Sequence, residues 1–161
     1  MSGIDLSDLL ARCTFAPPGT AVDCAVSGGP DSMALMVLAV EAGLDVTAWH
    51  VDHGLRPVSA SEGELVARTA VSVGAAVMRL EAPVEHGPNL EARAREARIS
   101  VLPAGVLTGH TADDQAETVI MNILRGAGIQ GAAGIGDPGR RPLLAIRRAE
   151  TTAVCASAGI T

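Results

Sequence analysis

Six residues, Ser27-Gly28-Gly29-Pro30-Asp31-Ser32, combine the types that grip a phosphate. Two glycines let the backbone turn tightly and bring its N–H groups close to an anion. Ser27 and Ser32 add hydroxyl donors. Asp31 is the odd member, because a carboxylate repels phosphate unless a cation lies between them, and this points to a magnesium-bridged polyphosphate. An apolar run over 21–26 precedes the loop, and a second apolar run from Met33 to Ala42 follows it. Strand, small-residue loop and helix in that order aim the positive end of a helix at a bound anion. An ordinary strand-to-helix turn is the bland reading of the same six residues, so the rest of the chain has to decide.

Two other phosphate loops are excluded. A Walker loop needs a lysine after its last glycine, and all 12 basic residues here are arginine. The pattern Gly126-Ala127-Gly128-Ile129-Gln130-Gly131 has dinucleotide-loop spacing. It follows a helical run instead of a strand, so it lacks the required context and reads as a glycine-rich loop.

Two further polar clusters end apolar runs. His50-Val51-Asp52-His53-Gly54-Leu55-Arg56 closes the second strand, and Gly109-His110-Thr111-Ala112-Asp113-Asp114-Gln115 follows the fourth. In a parallel sheet, ligands lie beyond the carboxyl ends of the strands. A lone His or Asp in a loop is usually only solvated, but three such clusters on one rim are harder to assign to chance. Asp113, Asp114 and Glu117 crowd negative charge onto a helix start. Capping explains one or two of them, and a magnesium ion explains the rest. His50, His53 and His110 also suit a transition metal, but no cysteine lies near them in sequence and a phosphate-facing role fits the loop better.

The elements that must position these clusters alternate. Strands are expected at 21–26, 46–51, about 75–80, about 105–109 and 142–146. Helices are expected at 5–12 and 32–42, from Ser59, after an Asn89 cap, and after a Thr111/Asp114 cap. Leu65, Val66, Thr69, Ala70 and Val73 form the inner stripe of the third helix, and Ala116, Val119, Ile120, Ile123 and Leu124 that of the fifth. The segment after Glu150 is small and polar and receives no assignment. The expected fold is α/β and doubly wound: a mostly parallel five-stranded sheet with helices on both faces. It forms one domain over 1–161 with a core at about 20–148.

Bulk properties narrow the function. The chain has 161 residues and is 48% hydrophobic, which argues against disorder. Phe15 and Trp49 are the only aromatics, so stacking platforms for exposed bases are scarce. A net charge of −6 disfavours binding nucleic acid over the whole surface. Arg125, Arg140, Arg141, Arg147 and Arg148 nevertheless face only Asp137 within 125–148; a solvated loop and a local phosphate contact are equally good accounts. Cys13, Cys24 and Cys155 form no CxxC pair, so neither a disulfide framework nor a cysteine metal site is expected. No signal peptide and no run of ~20 apolar residues is present, so a cytoplasmic protein without a membrane span is expected.

SGGPDS resembles the pyrophosphate loop of the PP-loop ATP pyrophosphatases. With HVDHGLRP, NLEARAREAR and GHTADDQAET…RGAG in order over about 20–148, the chain resembles the tRNA(Ile)-lysidine synthetase family. That family has an adenine-nucleotide α-hydrolase-like domain. It adenylates the wobble cytidine of tRNA(Ile), and free lysine then displaces AMP. The resemblance implies ATP binding by Ser27, Gly28, Gly29, Pro30, Asp31, Ser32, His50, Asp52, His53 and Arg56. It implies catalytic roles for Asp31, Arg95, Arg98 and His110, and Mg2+ binding by Asp31, Asp113 and Asp114. ATP and Mg2+ are the expected cofactors, and tRNA(Ile) and lysine the expected substrates.

Departures from the family pattern are Ile99 where an aromatic is common, Thr111 where a second histidine is common, and a fourth helix about two turns short. The family's later tRNA-contacting domains are expected to be absent from these 161 residues. Other PP-loop tRNA-modifying enzymes, or an ATP-binding module without turnover, are the competing readings.

Overall fold

The computed structural model describes residues 4–52, 59–83, 89–126, 134 and 137–160. Three β-strands, β1 (Ala21–Ala25), β2 (Asp45–Asp52) and β3 (Ala76–Glu81), form a parallel sheet in the order β1-β2-β3. Ala21 lies opposite Asp45 and Ala25 opposite Trp49; Thr47 lies opposite Ala76 and Asp52 opposite Glu81. In β2, Val46, Ala48 and His50 are buried while Thr47, Trp49 and Val51 are half-buried. That period of two marks a sheet covered better on one face than on the other.

Helices flank the sheet: α1 (Leu6–Arg12), α2 (Pro30–Glu41), α3 (Ser59–Val73), α4 (Leu90–Val101), α5 (Ala112–Leu124) and α6 (Arg148–Ser157). The α/β class and the parallel sheet agree with the expectation from sequence. Seven consecutive residues of α2, Met33 to Ala39, are buried, because α2 packs on β1 and β2 and is backed by α6. Gly43 follows its last turn at φ 79°, a left-handed conformation that glycine adopts without a steric cost. On α3 the expected stripe turns inward: Val66, Thr69 and Ala70 are buried, and Leu65 and Val73 pack against the core.

Three expectations need correction. The fourth strand reduces to one parallel bridge, Cys24 with Leu107. Leu107 donates its N–H to the Asp23 carbonyl at 2.8 Å and accepts the Ala25 N–H at 2.9 Å. The turn at Gly105 (φ 83°) precedes it and Thr108 turns away to bond the Arg140 carbonyl, so pairing cannot lengthen. The expected fifth strand at 142–146 forms turns. Pro142 has no N–H to give a ladder, and Ile146 instead donates to the Leu143 carbonyl at 2.9 Å. Leu143 and Ile146 are fully buried and plug the core from a turn. Finally, Ile120, Ile123 and Leu124 of α5 are 56%, 58% and 76% exposed, so that stripe faces outward. Among the described residues nothing buries it.

The unassigned tail is α6. Thr151, Val154 and Cys155 form its buried face against α2. A further tie runs from α1, where Arg12 reaches the Glu150 carboxylate with one N–H···O distance of 3.2 Å.

Candidate functional site

β1 is the switch point of this topology. From it, β2 lies on one edge and the Leu107 bridge on the other, so the loops leaving the carboxyl end of β1 diverge and open a crevice. The phosphate-loop sequence leaves β1 there. Gly28 has φ 95°, the left-handed region that favours glycine. The Ser32 hydroxyl donates to the Gly29 carbonyl at 2.9 Å, accepts the Ser27 N–H at 3.1 Å and meets the Ser27 hydroxyl at 3.1 Å. The two serines therefore knit the loop into a fixed turn. Pro30 occupies the first position of α2, where its missing N–H costs nothing.

A cavity of about 660 Å³ lies above this loop, within the range of small-ligand sites. Ser27, Gly29, Pro30, Asp31 and Ser32 form its floor. Arg95 and Arg98 of α4 stand on one wall; His110, Arg140 and Arg141 stand on another. Trp49, Ile99, Leu102 and Val106 give it an apolar side. The Trp49 indole N–H donates to Asp23 at 2.6 Å, which fixes the ring. The cavity lining thus combines cationic and apolar side chains.

The approach of the 106–110 segment to α2 depends on Gly109. A Cβ there would lie 2.6 Å from the Asp31 carbonyl oxygen, so any side chain would push the rim apart. Thr108 shares a 2.9 Å hydrogen bond with Nδ1 of His110. Burial first, then repulsion from Arg141, pulls the His110 pKa below its usual value; Asp114 opposes, and Arg95 and Arg98 add to the depression. His110 is accordingly a neutral ring at neutral pH. Arg98 is also shifted down, by burial and by Arg95 beside it. The Nε of Arg141, like Nε2 of His50, is buried without a hydrogen-bond partner, which carries a desolvation cost.

Thr111 caps α5 through a capping box. Its N–H and hydroxyl donate to Asp114 Oδ2 at 2.7 and 2.8 Å. Burial raises the Asp114 pKa, but these two bonds, followed by Arg148, bring the net value below the ordinary one. Asn89 precedes α4 in a left-handed conformation and its side chain makes no capping bond.

Of the residues expected in the site, Ser27, Gly29, Pro30, Asp31, Ser32, Arg95, Arg98, His110 and Asp114 meet around one cavity. His50 does not line it. His50 is 3% exposed, and its Nδ1–H donates to the Val26 carbonyl at 2.9 Å, so it braces the backbone leading into the loop from behind. Asp52 lies in β2 off the cavity wall. His53 and Arg56 lie outside the described residues.

Asp31 and Asp114 are the carboxylates on the cavity wall. Among the described residues no group of three or more His, Cys, Asp or Glu is placed to hold an ion by itself. Magnesium is commonly held by one or two carboxylates together with substrate phosphates, and the pair Asp31 and Asp114 fits that role. Asp113 does not belong with them; its Oδ2 accepts the backbone N–H of Arg148 at 2.8 Å.

Arg148 and Thr151 of α6 were not singled out by the sequence as site residues. Thr151 is fully buried and its hydroxyl donates to Asp31 Oδ1. The Arg148 guanidinium touches Asp31 at 3.5 Å, Asp114 at 2.9 Å and Glu117 at 3.3 Å. None of the three cysteines lines the cavity. Burial pushes the Cys24 thiol up to about 12 and the Cys13 thiol up to about 11. Cys155 donates to the Pro30 carbonyl at 3.3 Å, beneath the start of α2.

Residues 10–161 match the PP-loop domain family. The tRNA(Ile)-lysidine synthase of Nocardia farcinica is 45% identical over 157 residues, covering 91% of this chain and 48% of that protein. That of Rhodococcus erythropolis is 45% identical over 153 residues, covering 89% and 47%. The chain therefore spans about half the length of the curated relatives it matches. Among solved structures, a U34-tRNA thiolase, NcsA, from Methanococcus maripaludis has a TM-score of 0.75 at 17% identity, covering 97% of this chain and 63% of that one. At that identity the likeness speaks for the fold.

Proposed function

The chain belongs to the PP-loop domain family, and on that premise we propose that it is the nucleotide-binding part of a tRNA(Ile)-lysidine synthetase. The reaction has two steps. The C2 carbonyl oxygen of the wobble cytidine attacks the α-phosphorus of ATP, and pyrophosphate leaves. The ε-amine of free lysine then attacks C2 and AMP leaves. The cavity that joins the phosphate loop to Arg95, Arg98 and His110 is the observation that carries this reading.

The residues divide the work by chemistry. The β- and γ-phosphates rest on the loop from Ser27 to Ser32, where backbone N–H groups and the positive end of α2 stabilise the leaving charge. Arg95, Arg98 and Arg141 line the cavity and meet the remaining phosphate oxygens. The adenine takes the apolar side, where Trp49 supplies an aromatic face. Asp31 and Asp114 would hold a Mg2+ ion accompanying the nucleotide, and that ion would neutralise charge developing on the leaving group. His110, neutral at pH 7, offers a hydrogen bond without adding to the crowd of arginines.

Calorimetry with ATP and Mg2+ tests the nucleotide step, and absence of binding sinks the reading. Incorporation of radiolabelled lysine into tRNA(Ile) tests the rest. Tight tRNA binding takes several phosphate contacts, and this chain has net charge −6, no lysine and one arginine-rich segment, 125–148. The 161-residue chain alone should bind ATP but modify tRNA(Ile) far more slowly than a full-length relative. Equal rates would show that the nucleotide domain suffices. Sulfur transfer, the activity class of the thiolase with the same fold, is disfavoured because no cysteine lines the cavity.

A further inference from the structure

Four acidic residues from two helices converge on one arginine. Arg148 opens α6 and spreads its guanidinium over Asp31 of α2 and over Asp114 and Glu117 of α5, while its backbone N–H takes Asp113. The second oxygen of each cavity carboxylate is also taken. Asp31 Oδ1 accepts the Thr151 hydroxyl, and Asp114 Oδ2 accepts both donors of Thr111. Asp31 and Asp114 line the cavity but Arg148 does not, so the guanidinium stands behind them, on the α5–α6 side.

This arrangement bears on the cation. A hard divalent ion seeks the same carboxylate oxygens that the guanidinium holds. Two cations sharing one carboxylate repel each other, and the one that binds second does so against that repulsion. We propose that Arg148 is the resident counter-ion of Asp31 and Asp114, that it competes for them with the Mg2+ accompanying ATP, and that it thereby sets the Mg2+ concentration at which nucleotide binds. The proposal rests on the ATP reading above. It makes Arg148 a positioning residue acting through the two carboxylates, with no contact to nucleotide. It also gives α6 a function: the helix packs on α2 through Thr151, Val154 and Cys155, which holds the arginine beside the two carboxylates.

The test is a Mg2+ titration of ATP binding, followed by calorimetry, for the wild type and for Arg148→Gln. Because the arginine is half-exposed and its contacts are screened, the midpoint should fall by about threefold to tenfold in the variant. Thermal melts with Mg2+ alone give a second readout, independent of nucleotide. Mg2+ should stabilise Arg148→Gln and leave the wild type almost unchanged. If Arg148→Gln does not fold, Arg148→Lys serves, since a lysine keeps one charge but cannot fork across several carboxylates. Its midpoint should move the same way by less. An unchanged or raised midpoint in a folded variant that still binds ATP overturns the counter-ion role and leaves the ATP reading standing. Failure of the wild type to bind ATP at any Mg2+ concentration removes both.

Discussion

Thr151→Val removes one hydroxyl and almost nothing else. The side chain is fully buried and valine has nearly the same shape, so no cavity opens. What is lost is the bond to Asp31 Oδ1 and the weaker share given to the Arg148 carbonyl at 2.8 Å. A hydrogen bond to a charged acceptor contributes about 1.5–3 kcal/mol when its loss leaves the acceptor unsatisfied. The Asp31 side chain is 24% exposed, so water can replace part of the bond, and the lower end of that range, about 1.5 kcal/mol, applies. For a domain of this size each kcal/mol moves Tm by about 2–4 °C, so the expected fall is roughly 3–6 °C. Differential scanning calorimetry at constant pH measures it. Thr151→Ser is the control, because it keeps the hydroxyl and loses only a methyl. If Thr151→Val melts within about 1 °C of wild type, or no lower than Thr151→Ser, the hydroxyl does not hold Asp31 and the link from α6 to the phosphate loop is wrong.

Arg98→Ala should weaken ATP binding about tenfold by removing one charge-assisted contact; equal affinity in calorimetry would place the phosphates away from α4. The folded pKa of His110 lies below its ordinary 6.5, so the unfolded chain takes up the proton first as pH drops. The stability from keeping the ring neutral is thus present above pH 6.5 and is lost as pH falls through the lower folded value; an NMR titration of the ring with a midpoint at or above 6.5 would contradict this. Cys24, pushed up to about 12 by burial, should resist thiol reagents at pH 8 until the protein unfolds, and rapid labelling of the native chain would show that β1 is not buried as described.

Much of the site was legible because its chemistry is local. The loop from Ser27 to Ser32 advertises itself through two glycines and a helix start, and Gly109-His110 through its place after an apolar run. Thr111 and Asp114 declare a cap by spacing alone, and the structure forms that cap. The errors lie where tertiary context decides. The run from Pro142 to Ile146 has strand composition, but its proline and the space beside α1 make it a buried turn. The stripe on α5 has helical periodicity and the helix forms, yet periodicity does not say which surface will meet it. His50 and Asp52 stand two apart and so share one face of β2. The His50 ring is taken up by the Val26 carbonyl, under the loop instead of over it, which the motif does not disclose.

The part of the site that sequence concealed is α6. Its residues are small and polar, and nothing in their spacing marks a ligand-binding element. Thr151 lies 120 positions from Asp31 and its hydroxyl becomes meaningful only when α6 packs across α2. The same holds for Arg148, which in sequence is one arginine among five with a solvated loop as good an account as any. In the fold it is the cation on which carboxylates of α2 and α5 meet, behind the wall that faces the cavity. A motif marks the residues that touch a ligand because their types are unusual; the residues that hold those in place can be any type that reaches, so only the packed structure identifies them. That is why the phosphate loop could be read from six residues while the helix that fixes its aspartate could not.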